Sequence, residues 1–425
     1  MQRRWKQIAG LIGGISFFVA ATTVSMAAAS ENESFFDKIN TILQALGEKP
    51  IREIPAVLTT TMTPVAIAPE EKVPIPADEA IQRVQSMNYR IFRAVWENSD
   101  KERNILLSPY SVQQIFATLA ANSQDRKNLE VLRPYDDVNI LGEKLMNTET
   151  GNLILLNKKL ASALKSPVGD LKVVDYPSEA LAEKINLQQS ILGEVLDGEA
   201  PNGDLTFLSA VHYFAKWQAP FSKTDTRNRE FTKSDGTVIM VPTMAKHFVT
   251  GSGKVTDTYE MFSLGTESGA TVYFVKPVAG QEESIANMLE SVIAEYKAGN
   301  GTQRDVYFEM PKVHFRDSVN LITSLYTLGA TQLFDGITFS QITGDQRYRL
   351  SAAKQTASID FNEVSGEAKA ITEFGFRATA MVLEPKQPLA IKMDRPYFAV
   401  IEDSLQGTNQ ATAVFINYIC DPAAQ

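Results

Sequence analysis

From Gly366 to Thr379 the chain alternates with period two. Gly366, Ala368, Ala370, Thr372, Phe374, Phe376 and Ala378 form one uncharged set, while Glu367, Lys369, Ile371, Glu373, Gly375, Arg377 and Thr379 form the other and hold every charge. Successive strand residues point to opposite faces, so the pattern describes a strand with one face buried and one wet. The buried-side residues begin small. That suits a segment that slides between strands already packed, where extra methylenes would force strain. The plain alternative is a permanent strand of the ground state.

The rest of the chain limits what such a strand can belong to. A length of 425 residues, 44% of them hydrophobic, supports one large domain or two ordinary ones and argues for a mostly globular chain. The formal net charge is -9, with no long basic run outside the extreme N-terminus. Nucleic-acid binding, which needs clustered Lys and Arg to neutralise phosphates, is therefore disfavoured, and protein partners are expected. The single cysteine, Cys420, cannot close an internal disulfide. Among Phe415, Ile416 and Ile419 it reads as a small buried hydrophobe.

Arg3, Arg4 and Lys6 precede an apolar stretch from Ile8 to Met26, and Ala27, Ala28 and Ala29 follow. This is the pattern of a signal peptide spanning 1–29, cut before Ser30, and it predicts an exported protein, extracellular or periplasmic. A retained membrane anchor is the alternative, since the apolar run approaches the roughly 18–20 residues that span a bilayer. Gly10, Gly13 and Gly14 weaken a permanent helix and favour cleavage, with no stable membrane insertion afterwards. Within 30–80, Phe35, Phe36, Ile39, Ile42, Leu43 and Leu46 share one helical face, and six prolines from Pro50 to Pro76 mark an extended tether.

The folded domain is expected over 81–425. Ile81, Val84, Asn88, Ile91, Phe92 and Val95 mark a helical face interrupted only by Asn88. Asn104 to Ser111 reads as a short apolar strand, a turn and a new helix, with Pro109 just inside its start, where a missing N–H costs nothing.

The segments Asn104 to Ser111, Phe207 to Phe221, Val238 to Lys246, Phe308 to Val313, Ser318 to Phe334, Asp394 to Glu402 and Val414 to Pro422, in that order, resemble the serpin family of serine protease inhibitors. Asn104 to Ser111 resembles the buried strand and helix start of the family, with Ser108 and Ser111 at the hydroxyl positions of its central shutter. Phe207 to Phe221 resembles the strand ending in Lys-Trp and Pro-Phe, and Trp217 matches the tryptophan that caps the point where the mobile loop enters the sheet. Val238 to Lys246, Phe308 to Val313, Ser318 to Phe334, Asp394 to Glu402 and Val414 to Pro422 match later elements. Between 123 and 207 the chain is shorter than the family's usual length, and the helices there are expected to be trimmed.

The resemblance implies an α+β fold with a large, central, mostly antiparallel sheet, further sheets, surrounding helices and an exposed reactive loop at about 363–395. It implies a suicide substrate, not an enzyme: a target serine or cysteine protease cleaves the loop, the freed segment inserts as an extra strand, and the protease is trapped covalently. A non-inhibitory binding protein on the same scaffold is the alternative. The hinge would comprise Glu363, Ser365, Gly366, Glu367, Ala368, Ala370 and Thr372, with Ser365 and Gly366 departing from the family's usual glycine and threonine. The reactive bond falls at Thr379–Ala380, with Arg377–Ala378 as the alternative. Ser209 and Gln355 stand where many members carry Asn and His in the shutter. A monomer is expected.

Other chemistry finds little material. His212, His247 and His314 have no second ligand at metal spacing and read as structural, so neither metal nor cofactor is expected. Gly251-Ser-Gly-Lys254 lacks the first glycine of a phosphate loop and has Val255 where Ser or Thr would hold magnesium, so a hairpin turn is the better reading. No Gly-x-Ser-x-Gly elbow occurs in the mature chain.

Overall fold

The computed structural model describes residues 77–123, 130–136, 144–300, 302–364, 388–406 and 410–424, all within the unit Pro74–Gln425. The hinge from Ser365 onward, the reactive bond and the whole of 1–76 lie outside the described residues.

Helix α1 (Ala77–Glu97) begins slightly before the expected start. Its inward face carries Val84, Asn88, Ile91, Phe92 and Val95. Asn88 is fully buried, donates to Thr412 Oγ1 at 3.0 Å and accepts from the Gln113 amide, whose own carbonyl accepts from the Tyr135 hydroxyl. The polar residue that interrupts the face is thus a satisfied core group.

Strand β1 (Ile105–Leu107) leads into α2 (Pro109–Asn122), with Ser108 as N-cap and Pro109 in the first turn. Next come β2 (Thr148–Asn157), β3 (Leu171–Val174), α3 (Ser178–Leu192) and β4 (Leu205–Tyr213). Helix α3 lies against β2 at Gly151, where a Cβ would stand 2.7 Å from Ile191 Cγ1. Glycine there permits the close approach.

The chain continues through β5 (Arg227–Thr232), β6 (Val238–Val255), β7 (Tyr259–Gly265), β8 (Thr271–Pro277), α4 (Glu282–Glu295), β9 (Thr302–Pro311) and β10 (Val313–Asn320). It then forms α5 (Ile322–Thr327), β11 (Ile337–Thr338), β12 (Arg347–Tyr348), β13 (Lys354–Phe361), β14 (Leu389–Lys392), β15 (Tyr397–Ser404) and β16 (Ala411–Ile419).

Nine strands make the largest sheet, in the order β1-β16-β15-β8-β7-β6-β9-β14 with β5 beside β6. Every pair is antiparallel except β14 with β9. Strand β15 is buried along nearly its whole length, as expected of a strand covered on both faces. Trp96, Phe398 and Tyr418 pack on one side, with Trp96 and Phe398 centroids 5.4 Å apart. Phe262, Phe274, Phe308 and Phe361 pack on the other, Phe262 and Phe308 at 4.5 Å. The α+β architecture with a large, mostly antiparallel sheet and surrounding helices is the one expected.

Gly251–Lys254 is not a turn. It lies inside β6, just after a register shift between Phe248 and Gly251. A Cβ on Gly253 would stand 2.8 Å from Ile391 Cδ1 and 3.0 Å from Leu389 Cδ2, so the glycine makes room for β14. Sequence alone shows the two glycines but not the strand that leans on them.

Among the described residues three smaller sheets accompany it: β3-β2-β4, β10-β13 and β11-β12. Strand β13, which leads toward the loop, belongs to the β10 pair rather than to the nine-stranded sheet.

Candidate functional site

The site lies between β4 and β13, which are bridged near both ends. Beyond the start of β13, Lys354 Nζ meets Glu199 at 2.9 Å and Asp197 at 3.5 Å, both in the chain that leads into β4. Beyond the far end of β4, Trp217 Nε1 donates to the Asn362 carbonyl at 2.9 Å, just past the end of β13. The two strands therefore point the same way and are tied at both ends. Yet β4 ladders only with β2, and β13 only with β10, among the described residues. Among the described residues neither facing edge has a ladder partner, and an unladdered edge is the feature that lets a sheet accept another strand.

Three of the residues singled out as the shutter come together at the head of α2. Gln355 Oε1 accepts from the Ser108 backbone N–H at 2.8 Å, and its Nε2 donates to the Ser108 carbonyl at 2.8 Å and to the Ser111 hydroxyl. The Ser108 hydroxyl donates to the Val414 carbonyl at 2.9 Å. Gln355 thereby fastens β13 to the head of α2, and Ser108 fastens that head to β16. Glutamine can do this because its amide offers a donor and an acceptor side by side.

Ser209 stands apart. Its hydroxyl oxygen is buried on β4 with no hydrogen-bond partner among the described residues. Asn152, directly opposite it on β2, donates to Gln114 Oε1 at 2.9 Å while its own carbonyl oxygen is likewise unpartnered. The β13 side of the site is thus fully bonded and the β4 side is not. Asn152 was not legible in the sequence, where nothing marks it out from a surface asparagine.

The upper end of the site is built around Trp217, which is almost wholly buried. Its ring lies 6.0 Å from that of Phe361, and its backbone N–H donates to Val364 O at 3.2 Å. Phe221 N–H donates to Glu363 O at 2.9 Å. The last described residues before the loop are therefore stitched to the segment that follows β4.

Glu363 is the one hinge residue that the structure describes with Val364 beside it. Its carboxylate is buried, accepts from Thr226 Oγ1 at 2.9 Å and pairs with Lys312 Nζ at 3.0 Å. Burial alone would raise its pKa. The Lys312 ammonium, backbone donation and the Thr226 hydroxyl together outweigh that penalty and hold the carboxyl below the usual glutamate range. On the far side of the loop, Lys392 ties β14 to the buried Glu309 of β9 at 3.7 Å, and Arg229 of β5 reaches the same carboxylate at 3.4 Å. Both ends of the loop thus leave from charged anchors.

A family model described as Serpin (serine protease inhibitor) matches residues 189–422, more than half of the chain. The chain is a serpin. It is 24% identical over 387 residues to plasminogen activator inhibitor 1 of Neovison vison, covering 81% of this chain and 93% of the relative. It is 24% identical to alpha-1-antiproteinase of Rattus norvegicus, covering 79% and 87%, and 26% identical to an uncharacterised serpin-like protein of Thermococcus kodakarensis, covering 76% and 83%. Among solved structures, thyroxine-binding globulin in complex with thyroxine superposes with a TM-score of 0.64 at 18% identity, covering 80% of this serpin and 100% of that chain. Human glycosylated kallistatin gives 0.64 at 17%, covering 81% and 99%. These two likenesses concern the fold.

Serpins inhibit proteases rather than hydrolyse substrates as enzymes, and a protease is the partner class that the family and its inhibitor-named relatives support. No helix among the described residues is long and apolar enough to cross a membrane.

Proposed function

We propose that this serpin is an inhibitor of serine proteases that acts as a suicide substrate. The observation that carries the reading is the pair of parallel strands, β4 and β13, tied at both ends and, among the described residues, with no ladder between them. A segment turning back after Glu363 would run antiparallel to both and could ladder with each. The uncharged set Gly366, Ala368, Ala370 and Thr372 would face inward, with Glu367 and Lys369 outward. Placing a strand there satisfies two rows of backbone groups at once, which is a large release of free energy from a single cut.

The reactive bond is Thr379–Ala380 in this reading, which suits a protease whose pocket accepts little bulk; cleavage at Arg377–Ala378 would instead suit a trypsin-like one. The protein would be exported by the segment 1–29 and act as a monomer. A panel of serine proteases tests the reading: an SDS-stable complex with at least one of them is expected, with mass spectrometry of the released fragment giving the bond. Cleavage by every member of the panel with no such complex would overturn it.

A second reading has its own support. Among the described residues the Ser209 hydroxyl has no partner while Gln355 binds β13 firmly to α2, an imbalance that fits a scaffold used for binding with little sheet opening. Such a protein would be cut in its loop and released without trapping the protease.

A further inference from the structure

Helix α1 and the end of α5 enclose an open cleft of about 210 Å³, lined by Arg90, Arg93, Ala94 and Glu97 from the first and by Thr327 and Leu328 from the second. Residues three, four and seven positions after Arg90 lie on its face of the helix, so the four α1 residues form one stripe. Asn98 joins the two walls. Its amide donates to the Ala94 carbonyl at 2.8 Å and to Thr327 Oγ1 at 3.0 Å.

The charges around the cleft do not neutralise one another. Among the described residues Arg90 and Glu97 make no ion pair or side-chain hydrogen bond, and Arg93 reaches only the Asn287 carbonyl of α4, at 3.4 Å. Lys101, whose ammonium feels the Glu97 charge, is turned elsewhere: it donates to the Trp96 and Ser99 carbonyls and lies over the Trp96 ring, 4.5 Å from its centroid. The floor between the charges is apolar, made by the buried Ala94 and the half-buried Leu328.

Two guanidiniums thus stand at one end of the cleft and a carboxylate at the other. At a rise of 1.5 Å per residue, the midpoint of the two arginines lies about 8 Å along the axis from Glu97. A simple anion would be repelled by Glu97, and a simple cation by the arginines. A ligand with one charge at each end answers both.

We propose that this cleft binds an unbranched ω-amino carboxylate, with the carboxylate at Arg90 and Arg93, the methylenes over Ala94 and Leu328, and the ammonium at Glu97. The planar guanidinium fork matches a carboxylate, and the compact ammonium matches Glu97. A free ω-amino acid and the C-terminal lysine of a peptide present this same chemistry. The site uses no residue of the loop, β4 or β13, so it stands apart from the inhibitory reading.

Isothermal titration of the full-length protein with 6-aminohexanoate tests the proposal. Saturable binding at one site is expected, with a Kd on the order of 0.1–1 mM. Hexanoate, which lacks the ammonium, and hexylamine, which lacks the carboxylate, should each bind at least about tenfold more weakly. Arg90→Gln and Glu97→Gln should each weaken 6-aminohexanoate by about tenfold or more at an unchanged melting temperature, while Glu97→Gln leaves hexanoate no weaker. That split separates charge recognition from a loss of folding. Nα-acetyl-lysine distinguishes the sources: affinity equal to that of 6-aminohexanoate assigns the site to a peptide C-terminus, and weaker binding assigns it to a free ω-amino acid. The proposal is overturned by any of three results: no saturation by 6-aminohexanoate up to about 20 mM, hexanoate binding as tightly as 6-aminohexanoate, or unchanged 6-aminohexanoate affinity in Glu97→Gln.

Discussion

Lys312 and Glu363 meet at 3.0 Å at the point where the chain leaves β13 for the loop. The carboxylate is buried and the ammonium half-exposed, so the pair sits at the boundary between the packed domain and the segment that is to move.

Removing either partner should loosen this boundary. Lys312→Met leaves a buried carboxylate short of its counter-ion and should cost about 1–3 kcal/mol. Because the folded-state pKa of Glu363 lies below its ordinary value near 4.5, the stability it contributes is present above that value and is lost as pH falls through the folded pKa. Melting temperatures across pH 2–7 should therefore separate wild type from Glu363→Gln at neutral pH and bring them together in acid. A constant difference down to pH 2 would assign the effect to packing instead.

The two sides of the shutter should respond oppositely. Gln355→Ala strands the Ser108 N–H and takes a donor from the Ser108 carbonyl and the Ser111 hydroxyl, which remain bonded to each other, and is expected to cost about 1–3 kcal/mol. Ser209→Ala removes a buried hydroxyl oxygen that has no partner among the described residues and should be neutral or stabilising by about 1 kcal/mol. Urea denaturation of the two variants reads the contrast directly.

Gly253→Val should push β14 from its seat. The new Cβ would collide with Ile391 and Leu389 side chains, and overpacking of this kind costs about 1–3 kcal/mol. Limited proteolysis should then find the Leu389–Lys392 strand opened before the rest of the nine-stranded sheet.

Ala368→Arg or Ala370→Arg should abolish trapping while leaving the intact fold unchanged. Either change places a guanidinium in the inward row of the inserting segment, where it would have no counter-charge, and desolvating it costs several kcal/mol. Retained SDS-stable complex formation would show that inhibition proceeds without insertion.

Much of the scaffold was legible because it depends on local pattern. The period of α1, the Ser108 cap with Pro109 behind it, and the burial of Trp217 and Cys420 all follow from residues within a few positions of one another. What depends on partners far along the chain was not. Asn88 looked like a flaw in a helix face until Thr412 and Gln113 were found beside it. The glycines of Gly251–Lys254 looked like a turn because Leu389 and Ile391, the side chains that require them, lie beyond the loop. Gln355 stands out in the sequence only as a glutamine where many serpins carry histidine, and its three bonds to Ser108 and Ser111 depend on how β13 lies against α2. The acidic run Glu194, Asp197 and Glu199 carried no signal at all, since Arg316 and Lys354 are more than a hundred residues away.

Heat denaturation of the full-length protein before and after a single cut in the loop bears most directly on whether a new strand joins β4 and β13. A midpoint that rises steeply on cleavage, by well over the roughly 2–4 °C that about 1 kcal/mol would give a domain of this size, is expected. A midpoint unchanged or lowered by the cut would mean that those edges accept no strand, and would leave this serpin as a binding scaffold.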